Sequence, residues 1–213
     1  MSELPPEPPP AEPEVTTAAA LEPGADHPIR LIVTDDLERS RLTVFFRLLL
    51  AIPHFIWITL WAIAAFLVII VGWFAALFTG RLPDGMHNFL AKFQRYSTHL
   101  NAYISLLSNP YPPFNGQPGL YTVDLHVDPP EPQPRWTILL RIVLAIPALI
   151  LAWVFSQVRQ IIAFLGWFVC IVIGRMPKGM QDLGIYCLRY ETQTYSYLML
   201  LTNRYPSLSG PTP

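Results

Sequence analysis

One stretch of this chain is written twice. RLTVFFRLLLAIP begins at Arg41 and RWTILLRIVLAIP at Arg135, and the same offset holds without a gap as far as Pro112 and Pro206. It sets Gly72-Trp73-Phe74 on Gly166-Trp167-Phe168, and Gly80-Arg81-Leu82-Pro83-Asp84-Gly85-Met86 on Gly174-Arg175-Met176-Pro177-Lys178-Gly179-Met180. Arg95-Tyr96 falls on Arg189-Tyr190, Tyr103 on Tyr197 and Asn109 on Asn203. About 25 of the 72 paired positions are identical, several times chance, which marks a duplication. Fold and function must both follow from one unit used twice.

Each unit is built around an apolar stretch, residues 42–79 and 136–173. Between Arg47 and Arg81 there is no Asp, Glu, Lys or Arg, well past the roughly 18 apolar residues that mark a membrane segment. Only 14% of the chain is charged, against about 25% in soluble domains. A net charge of −1 leaves no global field for nucleic acid. As one helix, residues 42–79 would run about 57 Å, nearly twice a hydrocarbon core of about 30 Å. Folded near Leu60, they would form two arms that each just cross. Basic residues flank both ends of both stretches, which places those ends on the cytoplasmic side and favours a hairpin. Ser156-Gln157-Val158-Arg159-Gln160 interrupts the second stretch where a turn would fall. One long helix kinked at Pro53 or Pro147 is the alternative, because the first stretch has neither Gly nor Pro near the proposed tip.

Ahead of each stretch, Ile29-Arg-Leu-Ile-Val33 and Val123-Asp-Leu-His-Val127 alternate with period two and predict short strands that pair with each other. After it, Pro-x-Gly-Met corners lead into segments 86–108 and 180–202. There Phe89, Phe93, Tyr96, Leu100, Tyr103 and Leu107 advance by three and four, predicting an amphipathic helix at the bilayer surface. The expected class is therefore an all-α membrane protein with minor β. It has two tandem repeats (29–114 and 123–206, joined by 115–122), each a strand, a transmembrane helical hairpin and an interfacial helix. Residues 1–28, rich in Pro and Glu, are expected to be a disordered tail without the basic start of a secretory signal, and 207–213 form a short end.

The pattern Arg-x5-Arg-x3-Ala-Ile-Pro, Gly-Trp-Phe, Gly-Arg-x-Pro-x-Gly-Met, Arg-Tyr and Asn-x-Tyr-Pro resembles the DUF4389 family, bacterial and chiefly actinobacterial integral-membrane proteins of unknown function. The resemblance covers about Ile29 to Pro206. It implies a membrane protein and brings no substrate, cofactor or catalytic residue with it.

Chemistry is sparse. Gly80-Arg-Leu-Pro-Asp-Gly85 has phosphate-loop glycine spacing, but Met86-His87 stand where Lys-Ser/Thr is required. The five histidines lack metal-binding spacing, and His54 and His99 align with Ala148 and Gln193. Cys170 and Cys187 read as buried thiols. The duplicated arginines Arg41, Arg47, Arg81 and Arg95, recurring as Arg135, Arg141, Arg175 and Arg189, are candidate topology anchors or lipid-headgroup contacts. Arg159, unique to the second unit, becomes an intramembrane functional candidate if the helix runs on. No cofactor or metal is expected, and no enzyme activity. The leading expectation is a non-catalytic, multi-pass inner-membrane protein with cytoplasmic termini. It would scaffold a protein partner or a second copy, or organise anionic lipid. The alternative is a small transport or lipid-handling component with a path between the repeats.

Overall fold

A computed structural model describes residues 27–209, so all but the end of the expected N-terminal tail and the last four residues lie outside it. In chain order it contains β1 (Ile29–Val33), α1 (Arg41–Thr79), α2 (Asp84–Ile104), β2 (Val123–Val127), α3 (Arg135–Leu139), α4 (Arg141–Ile173) and α5 (Lys178–Leu198).

The strands pair antiparallel as expected, with Leu31 opposite Leu125 at the centre of the register. These two residues are repeat equivalents, so a local two-fold runs through the sheet. The same symmetry governs the helices. Trp73 Nε1 donates to the Ile138 carbonyl (2.9 Å) and Trp167 Nε1 to the Val44 carbonyl (3.1 Å), and each bond is the other's counterpart. Gln133 N–Gly80 O and Arg39 N–Gly174 O form a second reciprocal pair. Such i-to-j, j-to-i contacts define a two-fold interface. They bring the start of α1 to the end of α4, and the end of α1 to α3, so the long helices run antiparallel.

The expected hairpin does not form: α1 is one helix of 39 residues, and α3 and α4 repeat it with a single interruption at Leu140. Nothing near Leu60 releases the helical hydrogen bonds. Thr59 returns its hydroxyl to the Phe55 carbonyl within the helix (2.7 Å). In α4 the polar run stays helical because Ser156 bonds back to Trp153 and Arg159 turns inward. Pro53 and Pro147 lie inside their helices, which absorb them. Gly80 and Gly174 end the helices in the left-handed conformation (φ 78° and 79°), with their N–H groups on the Ala76 and Cys170 carbonyls.

Layering follows from which faces are apolar. In α1 the buried residues Val44, Arg47, Ala51, His54, Ala65, Gly72 and Ala76 fall at helical spacing on one narrow stripe. Four of the seven are Ala or Gly, which lets α2 approach closely. A methyl group at Gly72 would sit 2.7 Å from Leu82 Cδ1, and one at Gly166 3.2 Å from Met176, so the glycine of Gly-Trp-Phe makes room for the corner that follows it. The outward faces of α1 and α4 are exposed and mostly apolar, with Leu42 70%, Phe78 74% and Val172 71% accessible, Gln157 and Gln160 being the exposed polar residues at the middle of α4.

The expected interfacial helices are in fact a middle layer. α2 packs on α1, α5 and β2, and α5 packs on α4, α2 and β1. The helix forms where expected, but most of its apolar stripe (Phe93, Tyr96, Leu100 and Tyr103) is buried within the protein, and so are Gln94, Arg95, Thr98 and His99 on its other faces. A helix flanked on both sides needs hydrogen-bond partners for its polar residues rather than a bilayer surface. Cys170 and Cys187 are free and buried.

Gly116, in the loop between α2 and β2, has φ 57°, and a Cβ there would stand 2.2 Å from the Lys92 carbonyl oxygen. Gly116→Ala is therefore expected to destabilise the fold by at least about 2 kcal/mol, combining backbone strain with a clash against a helix. A thermal melt in detergent would show it as a clear drop in midpoint. An unchanged midpoint would mean that the loop does not sit on α2.

Candidate functional site

Half of the duplicated arginines hold the protein to itself. Arg47 is buried, and its Nη1 donates to the carbonyls of Tyr103 (2.5 Å) and Ser108 (3.0 Å) at the end of α2. Arg141 does the same for α5, donating from Nη1 to Tyr197 O and to Thr202 O (3.1 Å). Each guanidinium also lies over a tyrosine ring, Arg47 at 4.3 Å from Tyr103 and Arg141 at 4.4 Å from Tyr197. The last carbonyls of a helix lack intrahelical partners and carry its negative dipole end, which is what a buried cation satisfies here. Both ends also carry a leucine in left-handed conformation, Leu106 (φ 62°) and Leu200 (φ 65°), where glycine is usual. Burial of those leucines (2% and 1% exposed) offsets the backbone strain.

This corrects the headgroup reading for Arg47 and Arg141, whose side chains face inward. Arg95 is also internal: its Nε donates to Leu125 O (2.8 Å) and its Nη1 to Gly116 O (3.1 Å). Burial lowers its pKa, and Asp124 works against that shift. Its counterpart Arg189 is half-buried over the Tyr186 ring, its pKa also lowered by burial.

Arg41, Arg81, Arg135 and Arg175 differ: all four are exposed. Arg135 Nη2 donates to Phe78 O at the end of α1, close to Gly80-Arg81. Arg41 lies beside Gly174-Arg175, a Cβ at Gly174 falling 3.5 Å from its Nε. Each end of the antiparallel pair thus carries one exposed arginine from each repeat. Glu38, which bridges Arg175 through the backbone, is a nearby acid.

Arg159 has the partner that the sequence did not disclose. Its Nε and Nη2 make a two-pronged bond to the carboxylate of Glu191 on α5, both at 2.9 Å. Its Nη1 donates to Ser105 Oγ, just past the end of α2, and its Nη2 also to Asn101 Oδ1 on α2. In the first repeat the equivalents of Arg159 and Glu191 are Ala65 and Ser97, so the pair is an asymmetric addition. Glu191 lies outside the apolar stretch, where a partner for an intramembrane arginine would be sought.

A second polar cluster joins α2 to β2. His99 Nε2 is 2.8 Å from Asp124 Oδ1, and the Gly119 and Leu125 N–H groups also reach that carboxylate. Burial pushes the Asp124 pKa up, but these bonds outweigh it and hold the carboxyl below its usual range. A depressed folded pKa contributes stability above the unfolded value of about 3.9, and that stability is lost as pH falls through the folded value. The melting midpoint should therefore drop on acidification below about pH 4, and Asp124→Asn should be less stable at neutral pH yet lose less on acidification. Equal acid sensitivity in both proteins would remove Asp124 as the cause. Burial, then Glu191, pushes the Cys187 thiol up to about 11, so it is protonated at neutral pH. Among the described residues no group of three His, Cys, Asp or Glu could hold a metal ion.

Taken together, the fold is a duplicated helical domain with two helices long and apolar enough to cross a membrane. The chain belongs to the family described as "Domain of unknown function (DUF4389)", whose profile matches residues 41–115 and 135–209. Both matches begin at the first residue of a helix, α1 or α3, so the strands lie ahead of them. No curated protein and no solved structure matches the chain.

Proposed function

We propose that this chain is a non-catalytic protein of the bacterial inner membrane that offers its long helices to lipid and scaffolds a partner or organises the lipid around it. One observation carries the reading: α1 exposes apolar residues along its length and α4 does so on both sides of its exposed Gln157 and Gln160, while the buried Arg47, Arg141 and Arg159 behind them are bonded within the chain. An exposed apolar surface of this extent is unusual for a soluble monomer and marks a membrane or protein contact. The charged side chains nearest the apolar layer, Arg47, Arg141 and Arg159, are already engaged within the chain.

The second reading, a small transport or lipid-handling component with its path between the repeats, is separated from the first by Arg159, whose side chain is engaged by Glu191, Ser105 and Asn101. The test is expression of the full chain, isolation of membranes, and purification in mild detergent with identification of co-purifying lipids and proteins. The expected result is membrane recovery with a lipid class or protein enriched above its bulk share. Recovery in the soluble fraction, or no enrichment across detergents, would overturn the proposal.

A further inference from the structure

We infer that α1 and α4 do not cross the bilayer but lie along it, side by side in one leaflet, with the two-fold axis along the membrane normal. This rests on the membrane reading above and goes beyond it, since it fixes how the protein sits and which part of the lipid it meets. The first argument is symmetry. The reciprocal bonds of Trp73 and Trp167 make the long helices antiparallel, and a two-fold that exchanges antiparallel helices lies across both. Upright helices would therefore put the axis in the membrane plane and the two repeats upside down to each other. Four exposed arginines would then divide between opposite faces, Arg41 with Arg175 and Arg81 with Arg135, against the preference for basic residues on the cytoplasmic side.

Length gives the second argument. A 39-residue helix is about 58 Å long, and fitting it to a hydrocarbon core of about 30 Å would need a tilt near 60°, outside the usual range of about 0–40°. The third is the order of layers. Along the two-fold come the sheet, with its exposed His126 and its Arg30–Asp128 pair, then α2 and α5, then the apolar pair. The α2 helix follows α1 and exposes Asn88 and Lys92; upright, these would be carried toward the hydrocarbon. Lying flat, polarity falls along the normal, as in helices that sit at an interface about 5–10 Å deep. The exposed arginines then stand at both ends of the embedded pair at one depth, where they meet headgroup phosphates. The occupant of the apolar face is thus the acyl region of a single leaflet rich in anionic lipid, entered from the cytoplasmic side.

The experiment uses the full chain with Cys170→Ala and Cys187→Ala, carrying one new cysteine at a time. Nitroxide labels at Leu42→Cys and Phe78→Cys, opposite ends of α1, report depth in phosphatidylcholine–phosphatidylglycerol vesicles from relaxation by oxygen and by a nickel chelate. Ser40→Cys and Asp84→Cys report sidedness to an impermeant maleimide in sealed inverted membrane vesicles. The expected result is equal, shallow depth at both ends and labelling of both exposed cysteines from the cytoplasmic side. Labelling from opposite sides would overturn the inference, as would a label near the bilayer centre or shielding of both labels within a cross-linkable dimer. Failure to bind vesicles at all would instead remove the membrane reading itself, so the two failures are distinguishable.

Discussion

Arg141→Ala is expected to destabilise the protein by about 3–5 kcal/mol, because two buried carbonyls lose their only cation and a cavity opens beneath Tyr197. Desolvation of the guanidinium works in the opposite direction, so the loss falls short of the sum of its bonds. Arg141→Lys is not expected to rescue, since one ammonium cannot reproduce the planar fork that also takes Gln133 Oε1 at 2.6 Å. Arg47→Ala should be the milder of the two. Its repeat has Arg39 where Gln133 stands, which cannot accept, and Arg47 Nη2 has no partner among the described residues. The measurement is the midpoint of thermal unfolding in detergent, with Arg41→Ala as an exposed control expected to shift little. Equal midpoints for Arg41→Ala and Arg141→Ala would mean that Arg141 does not cap α5.

The second large effect concerns the pair that only one repeat possesses. Glu191→Ala leaves Arg159 buried with no anion beside it, a change of about 3–5 kcal/mol where buried ion pairs are broken on one side. The double change Arg159→Ala with Glu191→Ser gives the second repeat the residues of the first, Ala65 and Ser97. It should recover most of that loss, because both charges leave together. A double variant as unstable as the single one would show that the site needs the charges for more than each other. A lipid or solute flux lost in Arg159→Ala at unchanged stability would favour the transport reading over the scaffold.

Much of this architecture was legible because the repeat is ungapped. Equivalent strands had to be partners, and Leu31 does face Leu125. The path of the apolar stretch was not legible in the same way. Hydropathy reports that residues 42–79 avoid water but not whether they reverse, and of the flanking arginines that favoured a hairpin, Arg47, Arg95 and Arg141 bond inside the fold. Arg47 was misread for a related reason: its partners are backbone carbonyls of Tyr103 and Ser108, and no sequence pattern marks a carbonyl as waiting for a cation. The position of α2 could have been suspected from its composition. A helix with Gln94, Arg95, Thr98 and His99 away from its apolar stripe offers donors and acceptors on every side, which fits a helix enclosed by protein.

The crossed tryptophan bonds bear on how such a chain arose. Trp73 finds its acceptor only in the second copy and Trp167 only in the first, so neither half is complete by itself. A gene encoding a single copy would yield a polypeptide obliged to embrace a twin, and this chain has the form of such a pair joined end to end. Joined in this way the halves need not stay identical, and the Arg159–Glu191 couple is held by one of them alone.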